Sequence, residues 1–134
     1  MARASSPTWR RRPERSQGEG PTVIHEIRDY HYRTDIFDDY LVWAEKAVPV
    51  LRAHMDLLGF WVDQGIAPEI TGSQPIDSPI GSANVTWIIR WADMEARAKG
   101  FRAAIESPEW KAVWAEHPDP NGYLQMSGRF MRAM

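Results

Sequence analysis

The chain has no cysteine among its 134 residues. Disulfides, thiolate zinc sites, CxxC redox centres and a cysteine nucleophile are excluded, and a reducing, cytoplasmic setting is expected. No apolar run reaches the ~18 residues that a membrane-spanning helix requires. Phosphate-cradling glycine loops (GxGxxG, GxxxxGK[ST]) are absent, and so are the GxSxG elbow of serine hydrolases and the HExxH metal pair. Nucleotide-driven chemistry and serine hydrolysis are therefore not expected. Lysine is scarce, 3 against 13 arginines. The net charge of −2 divides unevenly: five arginines and two glutamates give residues 1–21 a charge of +3, leaving −5 on the remainder. An acidic globular part argues against nucleic acid as a partner, because phosphate binding needs a basic face.

At this length one domain is expected, large enough to bury a core without staples. Residues 1–21, rich in Arg, Ser, Pro and Gly, read as a disordered N-terminal extension. A transit helix is disfavoured by Pro7, Pro13 and the missing apolar face, and a secretory signal by the missing apolar stretch.

Residues 22–134 carry periodic structure. Val23–Arg33 alternates as a strand, with Glu26, Arg28 and Tyr30 on one face and His25, Ile27 and Asp29 on the other. Phe37, Leu41, Ala44, Val48, Leu51, Met55 and Leu58 form an apolar stripe at helical spacing. Thr34 or Asp35 is expected to cap this helix, Pro49 to kink it and Gly59 to end it. A short strand is expected at Phe60–Gln64, and a loop follows to Ala83, punctuated by proline and glycine. The role of residues 66–83 stays open. A third strand, Asn84–Trp91, places Trp87, Ile89 and Trp91 on one face. A second helix begins at the N-cap Asp93, with Met94, Ala98, Phe101 and Ile105 as its buried side and Arg97 paired with Asp93. Ser107-Pro108-Glu109 restarts a helix, and Tyr123–Met131 is the last strand.

Four segments together resemble the NIPSNAP family: Ile24-His25-Glu26-Ile27-Arg28-Asp29-Tyr30, Gly59-Phe60-Trp61, Trp91-Ala92-Asp93-Met94-Glu95-Ala96-Arg97 and Ser107-Pro108-Glu109-Trp110. The resemblance spans about Thr22 to Met131. It implies an α+β class: a ferredoxin-like βαββαβ protomer that pairs into a dimeric α/β barrel. The alternation agrees with pairing if the helices cover the Ile27, Thr86 and Ile88 side. The aromatic face of Tyr30, Trp87, Ile89 and Trp91, with Trp61 or Phe60 from the second strand, is then bare and needs a second copy.

On that reading Trp61, Trp87, Ile89 and Trp91 line a ligand pocket, and Glu26, Arg28 and Tyr30 are the candidate catalytic group. They stand about 6–7 Å apart along one strand. Glu26 is placed to act as general base, Arg28 to stabilise an enolate and Tyr30 to donate a proton. The same residues also read as a structural ion pair at the interface. No cofactor and no metal site is expected, since His25 and His31 are too far apart to share an ion and His54 and His117 read as structural. The function implied is binding of a hydrophobic, aromatic or polyketide-like small molecule, with or without cofactor-free acid–base chemistry. A noncatalytic protein-interaction module and a haem-binding barrel are the alternatives.

Overall fold

A computed structural model describes residues 20–134; the expected disordered extension, residues 1–21, falls almost wholly outside the described residues. Alternating β-branched and aromatic residues form β1 (Ile24–Tyr32), and a 3₁₀ turn at Thr34–Ile36 leads into α1 (Phe37–His54). The chain reverses at Met55 into β2 (Leu57–Val62) and returns through a long loop as β3 (Val85–Trp91). Next come α2 (Met94–Glu106), α3 (Pro108–Trp114), a 3₁₀ turn at Pro120–Gly122 and β4 (Tyr123–Met131). The strands make one antiparallel sheet in the order β2-β3-β1-β4, the ferredoxin-like arrangement. Among the described residues no helix is long and apolar enough to cross a membrane.

Local chemistry explains the element ends. Asp93 caps α2, its carboxylate accepting from Ala96 N at 2.7 Å. Ser107 closes α2 by donating to Ala104 O and opens α3 by accepting from Trp110 N. The start of α1 differs from expectation. Neither Thr34 nor Asp35 caps it; Ile36 precedes it without a side-chain bond, because the 3₁₀ turn already occupies those residues. Helix α1 continues through Pro49 and stops at His54. Leu58 and Gly59 therefore belong to β2, and the indole of Trp61 lies over the open space at Gly59 where a Cβ would collide with it.

The helices cover the opposite sheet face from the one expected. Glu26, Tyr30, Trp87, Ile89 and Trp91 are buried beneath the protein's own helices. The face bearing Ile27, Thr86, Ile88, His25 and Asp29 is the half-buried one. The helix faces differ as well. The buried side of α1 is Tyr40, Trp43, Ala44, Ala47 and Leu51, and of the second helix's expected stripe Met94 and Ile105 are exposed while Phe101 is partly buried. Large aromatic residues contribute more buried area than the aliphatic stripe could, so they set the orientation of the helices. Gly100 allows α2 to approach: a Cβ there would come within 2.5 Å of the Trp91 ring.

Candidate functional site

Helices and sheet enclose a cavity of about 590 Å³, within the range of small-molecule sites. Nine of its seventeen lining residues are aromatic, among them Trp43, Phe60, Trp87, Phe101 and Trp110. The charged side chains in the lining are Arg28 and Lys111; no carboxylate is among them.

Arg28 is held from three directions. Its Nη1 donates to Glu26 Oε2 at 2.7 Å, and its Nε donates to Tyr30 Oη at 2.7 Å. Its guanidinium carbon lies 5.2–5.5 Å from the ring centroids of Phe101, Tyr30 and Trp87, a cation–π seat. Gly128 on β4 leaves ordinary contact room beside this pair.

Glu26 is 0% exposed. Besides Arg28 it accepts from Arg97 through both oxygens, at 2.8 and 2.9 Å, and from Trp91 Nε1 at 2.9 Å. Burial alone opposes ionisation of this carboxyl, but the hydrogen bonds from Arg97, Arg28 and Trp91 outweigh it and hold the acid below its ordinary range. The Tyr30 phenol is pushed up, by burial first, against the opposing pull of Arg28. It stays protonated at neutral pH.

The residues expected at the site are thus divided by the structure. Arg28, Tyr30 and Trp87 are brought together on the cavity wall. Glu26 shares their strand face but lies outside the lining, saturated by four donors. Ile89 and Trp91 are buried on the same face and also stay outside the lining, Ile89 beneath the helices and Trp91 turned to Glu26. Trp61 is not in the pocket. It pairs with Thr86 on the other face and is 53% exposed, because the β2–β3 register sets Phe60, not Trp61, opposite Trp87 on the cavity side. The pocket accordingly lies within a single chain, between sheet and helices. No residue of the 66–83 loop lines it.

Arg97 was not among the expected site residues; a cap partner for Asp93 was the expected role. Its place one turn before Phe101 and two before the buried Ala104 was the available signal, an arginine on the inward stripe of α2.

A second polar group flanks the cavity. Asp119 N donates to His117 Nδ1 at 3.1 Å, which leaves Nε2 to carry the hydrogen and donate to Tyr123 Oη at 2.8 Å. The ring of His117 packs 4.3 Å from that of Trp43. Burial pushes its pKa below the ordinary 6.5, with Asp119 pulling the other way. The folded state keeps the imidazole neutral, so on acidification the unfolded chain takes up the proton first. Stability is therefore full above about pH 6.5 and declines as pH falls toward the lower folded-state value. Replacing His117 with Gln is expected to flatten the decline in melting temperature between about pH 7 and pH 5.5. An unchanged slope in that variant would locate the titration elsewhere.

None of His25, His31, His54 and His117 is in the cavity lining, and among the described residues no group of three His, Asp or Glu could hold a metal ion. The lone axial histidine that a haem reading requires has no candidate on the cavity wall.

No protein-family model and no curated protein matches this chain. Solved structures do. A NIPSNAP-like domain protein from Burkholderia xenovorans superposes with a TM-score of 0.61 at 18% identity, covering 84% of this chain and 86% of its own. A NIPSNAP family protein of unknown function from Agrobacterium tumefaciens gives 0.59 at 18% identity, over 86% of this chain and 93% of its own. The fold is NIPSNAP-like. A protein from Caulobacter crescentus named as an antibiotic biosynthesis monooxygenase shares the NIPSNAP-like architecture at a TM-score of 0.51 and 9% identity, over 84% of this chain and 91% of its own. Likeness at such identity speaks to the fold alone, since one architecture hosts many chemistries.

Proposed function

We propose that this NIPSNAP-like protein is a cytoplasmic homodimer that binds a hydrophobic, aromatic or polyketide-like small molecule in the cavity of each protomer. The supporting observation is the cavity itself, about 590 Å³ with a mostly aromatic lining and the part-buried Arg28 as a cation in its wall. A void of that size is much larger than the gaps that close-packed interiors leave. Arg28 and Tyr30 are the polar contacts of the ligand. On a ligand that is bound already as an enolate, cofactor-free acid–base chemistry runs as transfer of the Tyr30 proton to it. That leaves a phenolate beside Arg28, the cation that stabilises the negative charge before and after the transfer. Glu26, with no free lone pair facing the cavity, is a positioning residue that orients Arg28 rather than a base.

The dimer is supported by the half-buried sheet face. Ile27 and Ile88 lie at its centre, with Trp61 on β2 and Met131 on β4 more exposed. An isologous pairing of this face with its copy covers them. The noncatalytic interaction module stays as a second reading because of the β2–β3 loop, where Ile66, Ile70, Ile76 and Ile80 are all exposed.

Native mass spectrometry of the full chain purified gently from its own host tests both parts. The expected result is a dimer with up to one discrete adduct of small-molecule mass per protomer. A bare dimer would move weight to the interaction reading, and a monomer would remove the pairing of sheets.

A further inference from the structure

Resting on the pocket reading above, we infer that the ligand is an organic monoanion. It pairs an aromatic or aliphatic body with one carboxylate, enolate or phenolate oxygen seated at Arg28 and Trp87. Charge carries the first part of the argument. The cluster around the buried Glu26 carboxylate holds the part-buried Arg28 and Arg97 against that one acid, so it carries a net charge of +1. Asp29 next along β1 does not supply it, because its carboxylate lies on the other sheet face, bonded to Thr86 and Arg129. The other charged residue in the lining, Lys111, is also a cation.

Unused donors carry the second part. A guanidinium has five N–H groups, and Arg28 uses one on Glu26 and one on Tyr30 among the described residues. The Trp87 Nε1 is buried and makes no well-formed hydrogen bond, only a weak approach to the Tyr30 hydroxyl, on a side chain that is 4% exposed and lines the cavity. Its ring lies 5.5 Å from the guanidinium carbon. The Tyr30 oxygen accepts from Arg28, so its own hydrogen is left for a bound acceptor. Buried polar groups are normally satisfied. Three kinds of donor short of acceptors, around a net positive charge, fit an anionic oxygen better than a neutral one. The surrounding aromatic walls fit the rest of the molecule.

The test uses the full chain and neutral N-phenylnaphthylamine as reporter, with energy transfer from the cavity tryptophans as readout. The reporter is then displaced by naphthoate and by naphthamide, which share shape and differ in charge. At neutral pH naphthoate is expected to displace the reporter at about tenfold lower concentration than naphthamide. In Arg28→Gln that ratio is expected to collapse to within about threefold. Trp87→Phe keeps an aromatic ring and removes the N–H; it is expected to lower the naphthoate-to-naphthamide ratio by about threefold. That comparison is internal to the variant and covers the case that Arg28→Gln does not fold. An unchanged ratio would remove Trp87 from the seat. Equal displacement by the two competitors in the wild-type protein would overturn the anion while leaving the pocket reading intact. A ratio that survives in Arg28→Gln would overturn this seat for it. Absence of any energy transfer to the reporter would overturn the pocket reading, and the anion with it.

Discussion

Glu26→Gln is expected to lower folding stability by about 3–5 kcal/mol, the usual cost of removing one partner from a buried ion pair. The wild-type carboxylate is fully buried and accepts from Arg28, Arg97 and Trp91. The amide keeps the shape but offers one acceptor oxygen and no charge, so two guanidinium groups face each other without a counterion. For a domain of this size the melting temperature drops by roughly 10–20 °C. Chemical denaturation at neutral pH measures the difference directly. The acid limb provides a second readout. Because the folded carboxyl titrates below its ordinary value, its contribution is present above that value and lost as pH falls through the lower folded-state one. The variant therefore loses part of the wild-type acid sensitivity. A double variant that also removes Arg97 is expected to recover some stability, the sign of a shared network. A loss below about 1 kcal/mol in the single variant would show that the cluster is solvated in solution.

Trp43→Ala is the other large effect, again about 3–5 kcal/mol. Trp43 is 6% exposed and ties α1 to α3 across the cavity wall. Its Nε1 donates to Val113 O at 2.7 Å, and its rings pack edge-on against Trp110 and Trp114 at 5.9 and 5.8 Å. Truncation leaves a void beside an existing cavity, so little collapse is available to offset it. It also removes one of the two donors to the Val113 carbonyl, which keeps Glu116 N at 3.1 Å. Trp43→Phe separates the two losses, retaining most of the packing and costing about 1–2 kcal/mol, near the value of one buried hydrogen bond. Calorimetric unfolding of the two variants gives the comparison. Similar costs for both would assign the effect to the hydrogen bond alone.

Much of this architecture was legible in residue order. The strand alternation of β1 and β3, the caps Asp93 and Ser107 and the turn residues after His117 are local features, and they placed the elements in a βαββαβ order. The alternation also grouped Glu26, Arg28, Tyr30, Trp87, Ile89 and Trp91 on one face. Side-chain period two requires that grouping wherever the register holds. It could not choose between Phe60 and Trp61, which alternation places on opposite faces. Pairing Phe60 with Trp87 and Trp61 with Thr86 is a cross-strand register that turns Trp61 outward. Helix α1 offered two overlapping apolar stripes, and one residue's rotation separates the aliphatic one from the aromatic one that is buried.

What residue order could not choose was the face that the helices cover. A face carrying Glu26 and Arg28 reads as wet, which places the charged pair in an open interior. Its burial depends on Arg97, 71 residues further along the chain. The sequence by itself determined the elements, their order and the two faces of each strand, because those follow from backbone geometry and neighbours a few residues apart. Only the tertiary structure decided which face became the pocket and that Glu26 serves as an anchor. Neutralising a buried carboxylate takes donors converging from β1, β3 and α2 at once, and that convergence exists only after the chain has folded.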